Sequence, residues 1–130
     1  MPVTYQIDAV RGLIRTRCFG NLKFDEVLGH FRELEQDPGC PPHLDVLLDL
    51  TEVSSLPESR QLQSVAFEIR RIRDKVQFGM CAVIAPTDAL FGMLRVFEVM
   101  AQDYFLAIAV LRSSSEAEAW LGLQKVRDAG

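Results

Sequence analysis

Three short apolar runs constrain this chain most. They are His43 to Leu50 with Val46-Leu47-Leu48 at its centre, Phe78 to Ala85 (FGMCAVIA) and Phe105 to Leu111 (FLAIAVL). None alternates polar with apolar, so each reads as a strand covered on both faces, as parallel strands between helices are. Segments of helical period separate them. Leu62, Val65, Ala66, Ile69, Ile72 and Val76 form one stripe over 58–76, whereas 88–102 is apolar almost all round. The spacing predicts three central parallel strands joined by right-handed crossovers.

Upstream, Val3, Tyr5 and Ile7 alternate with Thr4 and Gln6, the period of a strand with one buried face. A second alternation over 13–19 puts Ile14, Thr16 and Cys18 on one side. Arg15 and Arg17 share the other with Leu13 and Phe19. The two strands are expected to form an antiparallel hairpin across Asp8 to Gly12. From Phe24 the period becomes helical, through Val27, Leu28, Phe31 and Leu34, with Asp25 and Glu26 at the positive end of the helix dipole. Asp37-Pro38-Gly39 ends that helix and Cys40-Pro41-Pro42 prolongs the connector. A last helix starts near Ser113, where Ser113-Ser114-Ser115-Glu116 is a capping box, and turns Ala117, Trp120 and Leu121 inward. The expected order is β-β-α-β-α-β-α-β-α. It forms a single α/β domain over 1–123 with a mixed, mostly parallel five-stranded sheet and flanking helices, and 124–130 reads as a fraying tail.

Net charge decides against one class of partner. With 14 basic and 18 acidic residues the chain carries −4, so the basic footprint of nucleic-acid binding is missing. The N-terminus lacks the pattern of a secretory signal, and no apolar stretch nears the roughly 18 residues of a membrane span. Cys18, Cys40 and Cys81 are too widely spaced for a zinc or redox motif and read as small apolar side chains in a reducing cytoplasm. No cofactor, metal or catalytic motif is found, and His30 and His43 read as surface residues. An enzyme is not the expectation.

Two segments carry the candidate sites. Asp49 to Arg60 joins the end of a central strand to a helix, where ligands of open α/β sheets gather. There Ser55-Leu56-Pro57-Glu58 fits a capping box, and Ser54, Ser55 and Ser59 crowd a helix N-terminus that favours negative charge, a phosphorylated serine included. Asp49 is read as capping the amides of its own loop, and Arg70, Arg71, Arg73 and Lys75 as a solvated basic helix end. In the 88–102 helix, capped by Thr87 or Asp88, the core takes Leu90, Met93, Leu94, Phe97 and Ala101. Phe91, Val96, Val99 and Met100 are left in surplus for a partner, a dimer or a cavity wall. Gly92 inside this helix is read as a point of close packing.

The hairpin, the βα units, DVLLDLTEVSSLPES at a central strand end, AVIAPTDALFGMLRVFE and the closing SSSEAEAWLGL together resemble the SpoIIAA-like group of bacterial STAS-type domains, from about Tyr5 to Leu123. The resemblance implies successive βα turns on a mixed sheet. In anti-anti-sigma factors of that family a D-S-S-G signature carries a serine phosphorylated by a partner kinase. Ungapped reading sets Pro57, Glu58, Ser59 and Arg60 on those places, so Ser59 matches the acceptor while the aspartate, first serine and glycine are missing. The expectation is a non-enzymatic regulatory or protein-interaction module, presenting Ser54, Ser55, Glu58, Ser59 and Arg60 to a protein partner. The alternative is a small-molecule or lipid-binding domain whose pocket lies between the sheet and the 88–102 helix, with Phe91, Met93, Arg95, Val99 and Met100 lining a ligand or a homodimer face.

Overall fold

The alternating N-terminal segments become β1 (Val3–Asp8) and β2 (Leu13–Gly20), an antiparallel hairpin, in a computed structural model that describes residues 3–122. The chain continues through α1 (Phe24–Glu35), β3 (His43–Val53), α2 (Ser59–Ile72), β4 (Gln77–Ile84) and α3 (Asp88–Ala101). Then follow β5 (Ala107–Leu111) and α4 (Ser114–Trp120). A single 3-10 turn, Gln102–Tyr104, leads from α3 toward β5. The sheet is an α/β mixed sheet, as expected, and its strands lie in chain order, β1-β2-β3-β4-β5, with every pair after the hairpin parallel.

That order fixes the layers. Three right-handed crossovers stepping in one direction put all their helices on the same side of the sheet. Ile14 and Cys18 of β2, Val83 of β4 and Val110 of β5 accordingly share one core with Leu34 of α1, Ile69 of α2 and Leu94 of α3. Among the described residues the opposite face is covered by α4 alone, whose Ala117 packs with Leu13, Leu47, Ala82 and Ile84. The apolar run of β4 is buried on both faces as expected, with Ala82, Val83, Ile84 and Ala85 all buried, whereas β5, expected as a third central strand, is the edge of the sheet, where Val110 alone is fully buried and Ala107 is exposed.

Several boundaries differ from the sequence expectation. β3 runs three residues past Leu50, because β2 continues to Gly20 and, beyond a bulge between Arg17 and Phe19, its Phe19 and Gly20 pair with Glu52 and Val53. The expected loop after Asp49 is therefore β-structure through Val53, and only Ser54–Glu58 remains as connector. α2 begins at Ser59 with Glu58 as its N-cap, so Ser55 is not the capping residue; the Glu58 N–H donates to Gln61 Oε1 at 2.9 Å. β5 starts at Ala107 rather than Phe105, after the 3-10 turn. Gly92 is no close-packing point: it lies on the solvent side of α3, and a Cβ placed there meets nothing within 4 Å. The expected caps at Thr87 and Ser113 are present, accepting from the amides of Leu90 and Glu116 at 3.3 Å each. The side chain of Phe24, Leu123 and the expected tail at 124–130 lie outside the described residues.

Side-chain ties hold the layers in register. Arg71 of α2 donates two hydrogen bonds to Glu35 of α1, at 3.0 and 3.2 Å, and a third to Glu68 at 2.6 Å. Arg73 lies over the Tyr104 ring at 5.6 Å. Two members of the expected solvated basic end therefore have structural partners. The Tyr5 hydroxyl donates to Asp37 at 2.7 Å, fixing β1 to the turn after α1.

Gly79 marks the second bulge. Between Leu44 and Val46 of β3 the register with β4 shifts, and the Asp45 carboxylate turns in to accept the Met80 amide at 2.8 Å. A Cβ on Gly79 would run into that carboxylate oxygen. The Gly79→Ala variant should lose roughly 1–3 kcal/mol in urea unfolding at unchanged m-value, from overpacking or the lost hydrogen bond. An unchanged midpoint would show that the Asp45 contact is dispensable.

Candidate functional site

Between the sheet and the three-helix layer lies a cavity of about 320 Å³. Its floor is the inner row of the central strands, Ile14, Thr16 and Cys18 of β2, Val46, Leu48 and Leu50 of β3, and Phe78 and Cys81 of β4. Val46 and Leu48 stand on that core face yet are only half-buried, because the cavity takes the place of packing atoms above them. Its cover comes from Val27, His30, Phe31 and Leu34 of α1, Leu62, Val65 and Ile69 of α2, and Leu90, Leu94 and Phe97 of α3. The mouth opens where β2 and β3 end, between Asn21-Leu22-Lys23 and Ser55-Leu56-Pro57-Glu58. This is the carboxyl end of the strands, where open α/β sheets bind their ligands.

The lining is unequal in polarity. The wall from α3 is apolar and α2 adds Gln61 to its apolar residues, while β2 and α1 contribute Thr16, Cys18 and His30. Thr16 is the one polar residue fully buried among the described residues. His30 packs edge-on against Tyr5, centroids 5.2 Å apart, and beside Phe31 at 5.5 Å, and its Nδ1 is buried without a hydrogen-bond partner. Burial pushes the His30 imidazole down to about 4, so the ring is neutral at neutral pH. Burial likewise pushes the Cys18 thiol up to about 12, which leaves it an unreactive wall group. The charged lining residues, Lys23 and Glu58, sit exposed at the mouth with opposite signs.

His30 corrects the sequence reading, which set it on the surface among Glu26 and Glu33. The signal was present: His30 lies three residues after Val27 and four before Leu34, on the stripe that α1 turns to the sheet. His43, by contrast, is exposed.

Of the residues singled out in the 49–60 segment, two reach the cavity. Ser55 is half-buried and its Oγ accepts the Leu22 amide at 3.1 Å, bracing the two sides of the mouth together; Glu58 stands on the α2 side. Ser54 donates its N–H to the Gly20 carbonyl at 2.9 Å. Ser59 and Arg60 open α2 on the solvent side, with Arg60 3.9 Å from Glu58. The acids of this region do not converge. Asp49 accepts the Thr51 amide at 2.9 Å and the Thr51 hydroxyl, Glu52 pairs with Arg17, and Asp45 holds the Met80 amide. Among the described residues no group of three or more His, Cys, Asp and Glu could hold a metal ion.

The α3 residues expected to line a pocket do not line this one. Phe91 lies between two guanidinium groups, Arg112 at 4.2 Å and Arg95 at 5.9 Å. Arg95 pairs with Glu98 at 3.3 Å, Met93 and Met100 pack half-buried against the core, and Val99 is 66% exposed. The cavity instead receives Leu90, Leu94 and Phe97, because the stripe that faces the sheet is the one the core residues already occupy. No helix among the described residues is long and apolar enough to cross a membrane.

Protonating His30 should cost stability. Its folded pKa is lowered, so between about 6.5 and about 4 the unfolded chain binds the proton first and stability falls as pH falls. Urea unfolding between pH 6.5 and 4.5 should show the native chain losing up to about 1.4 kcal/mol per pH unit more than a His30→Phe variant. Parallel pH profiles for the two would place the imidazole in water.

A scan against models of protein families finds no match and no curated protein matches the chain, so the cavity and its mouth carry the functional reading.

Proposed function

We propose that this protein is a non-catalytic binding module for a small apolar molecule, held between the sheet and the helices α1, α2 and α3. The observation that carries this reading is the cavity itself. A folded core normally closes to crystal-like density, and an apolar void of this size forgoes dispersion contacts that nearby side chains could supply. Its volume, about 320 Å³, falls within the range of small-molecule sites, roughly 300–1,000 Å³. A mouth at the carboxyl ends of parallel strands and a mostly apolar lining with a few polar groups fit the same use. The neutral fluorophore N-phenyl-1-naphthylamine tests it. One saturable site is expected in the native chain, and at least tenfold weaker binding in Leu48→Phe and Val65→Phe, whose larger side chains fill the space. Binding equal in all three proteins, or none, would overturn the reading.

A protein partner that reads the 54–60 connector is the second function, and Leu56 favours it. This leucine is 53% exposed at the mouth, next to the exposed Ser54, Glu58, Ser59 and Arg60, so a partner could cover it. Such a segment agrees with the regulatory role implied by the STAS-type resemblance, in which Ser59 stands at the phospho-acceptor place. Cytoplasmic extract passed over immobilised native protein and over Leu56→Ser and Ser59→Glu variants should give partner sets that differ. Identical sets would remove the connector from consideration.

A further inference from the structure

The two edges of the sheet are built differently, and we infer that the β5 edge takes a second copy of this chain, β5 pairing antiparallel with β5 so that one sheet runs through both protomers. An edge strand offers unpaired N–H and C=O groups to any extended backbone, and proteins blunt it with charge, proline, bulges or a covering segment. β1 is blunted in this way: Thr4, Gln6 and Asp8 form an exposed polar row, and Asp8 draws in Arg11 at 3.9 Å. β5 has none of these devices. Its five residues, Ala-Ile-Ala-Val-Leu, include no charge and no proline, and they pair with β4 without a register shift. Among the described residues no strand lies on its outer side. Just ahead of it Leu106 is 85% exposed.

The backbone sets the register. The Leu111 carbonyl accepts the Ala85 amide at 2.8 Å, so Leu111, and by alternation Ala109, direct their backbone groups at β4. Ile108 and Val110 therefore present N–H and C=O at the open edge. Antiparallel pairing about Ala109 puts Ile108 opposite the partner's Val110, and Val110 opposite the partner's Ile108. Each pair exchanges two hydrogen bonds, about four in all. The side chains match as well. Ile108 and Val110 belong to the core beneath α3, so β-branched side chains meet across the strands on that face. On the α4 face Ala107 stands opposite the partner's Leu111, small against large, and Ala109 opposite its own copy.

Charge fixes the direction. Asp103 precedes the strand and Arg112 follows it, and both are exposed. Antiparallel strands carry the basic end of one protomer toward the acidic end of the other, whereas parallel strands would set Arg112 against Arg112. The edge is thus complementary to itself in backbone, side-chain size and charge. A two-fold dimer needs one such surface and no second one.

Sedimentation equilibrium of the full chain over a concentration series tests the inference. The native chain should move from 14.6 kDa toward twice that mass. In the inferred register Leu106 faces the partner's Arg112. Leu106→Lys should therefore raise the dimer dissociation constant about tenfold, because it sets like charges opposite each other at both ends of the pair, whereas Leu106→Glu should keep or lower it. Leu106 is exposed, so both variants should retain the native urea midpoint. Ala109→Cys in a Cys40→Ser background should form a covalent dimer on air oxidation, since partners in a non-hydrogen-bonded pair lie about 4.5 Å apart, within disulfide reach. Ala107→Cys, displaced along the strand from its own copy, should not. A chain that stays at 14.6 kDa at every concentration overturns the inference. So does a dimer that the lysine and glutamate variants weaken equally, or one that Ala107→Cys locks as readily as Ala109→Cys.

Discussion

β3 is hydrogen-bonded on both edges by parallel strands, β2 on one side and β4 on the other, and this pairing places everything else. Parallel neighbours cannot be joined by tight turns, so each link must cross over the sheet, and the right-handed sense of the crossover selects the side. Because each step adds a strand to the same edge, α1, α2 and α3 end on one face and α4 is left to cover the other. The protein therefore has a thick side and a thin side. On the thin side Arg15 and Arg17 stand on the outward row of β2, held by Glu118 and Glu52.

The thick side is where a cavity can form. Helices α1 and α2 are tied by Arg71 and Glu35, and α2 and α3 send Ile69 and Leu94 into one core, which fixes the spacing of the cover above the sheet. Under that cover the inner row of β3 begins with the fully buried Leu44 and continues through the half-buried Val46 and Leu48. Packing is complete at Leu44 and again at Leu50, and incomplete at Val46 and Leu48 between them. Ser55 bridges to Leu22 across the gap, so the connector after β3 frames the mouth instead of filling it.

How far the sequence could be read follows from the range of each signal. The apolar runs of β3 and β4, the period-two alternation and the caps at Thr87 and Ser113 are local, and each produced the element it announced; the run of β5 also made a strand, but on the edge of the sheet, a place that no local pattern encodes. The extension of β3 to Val53 depends on pairing with Phe19 and Gly20, more than thirty residues earlier, and no local pattern carries it. Gly92 misled because a helix-interior glycine says nothing by itself about which side of the helix it occupies. His30 misled in the opposite way: acidic neighbours in sequence suggested solvent, while its place on the stripe of Val27 and Leu34 pointed to the sheet.

The sequence by itself determined the α/β class, the order of the elements and the polarity of the two faces of β2, since these follow from periodicities of two and 3.6 along a single segment. Only the tertiary structure decided that the strands lie in chain order, that three helices share one face, and that His30, Thr16 and Ser55 meet around one cavity. The physical reason is separation. Those residues lie on α1, β2 and the connector after β3, and what joins them is the sum of crossover direction, bulge position and helix spacing, none of which any one segment encodes.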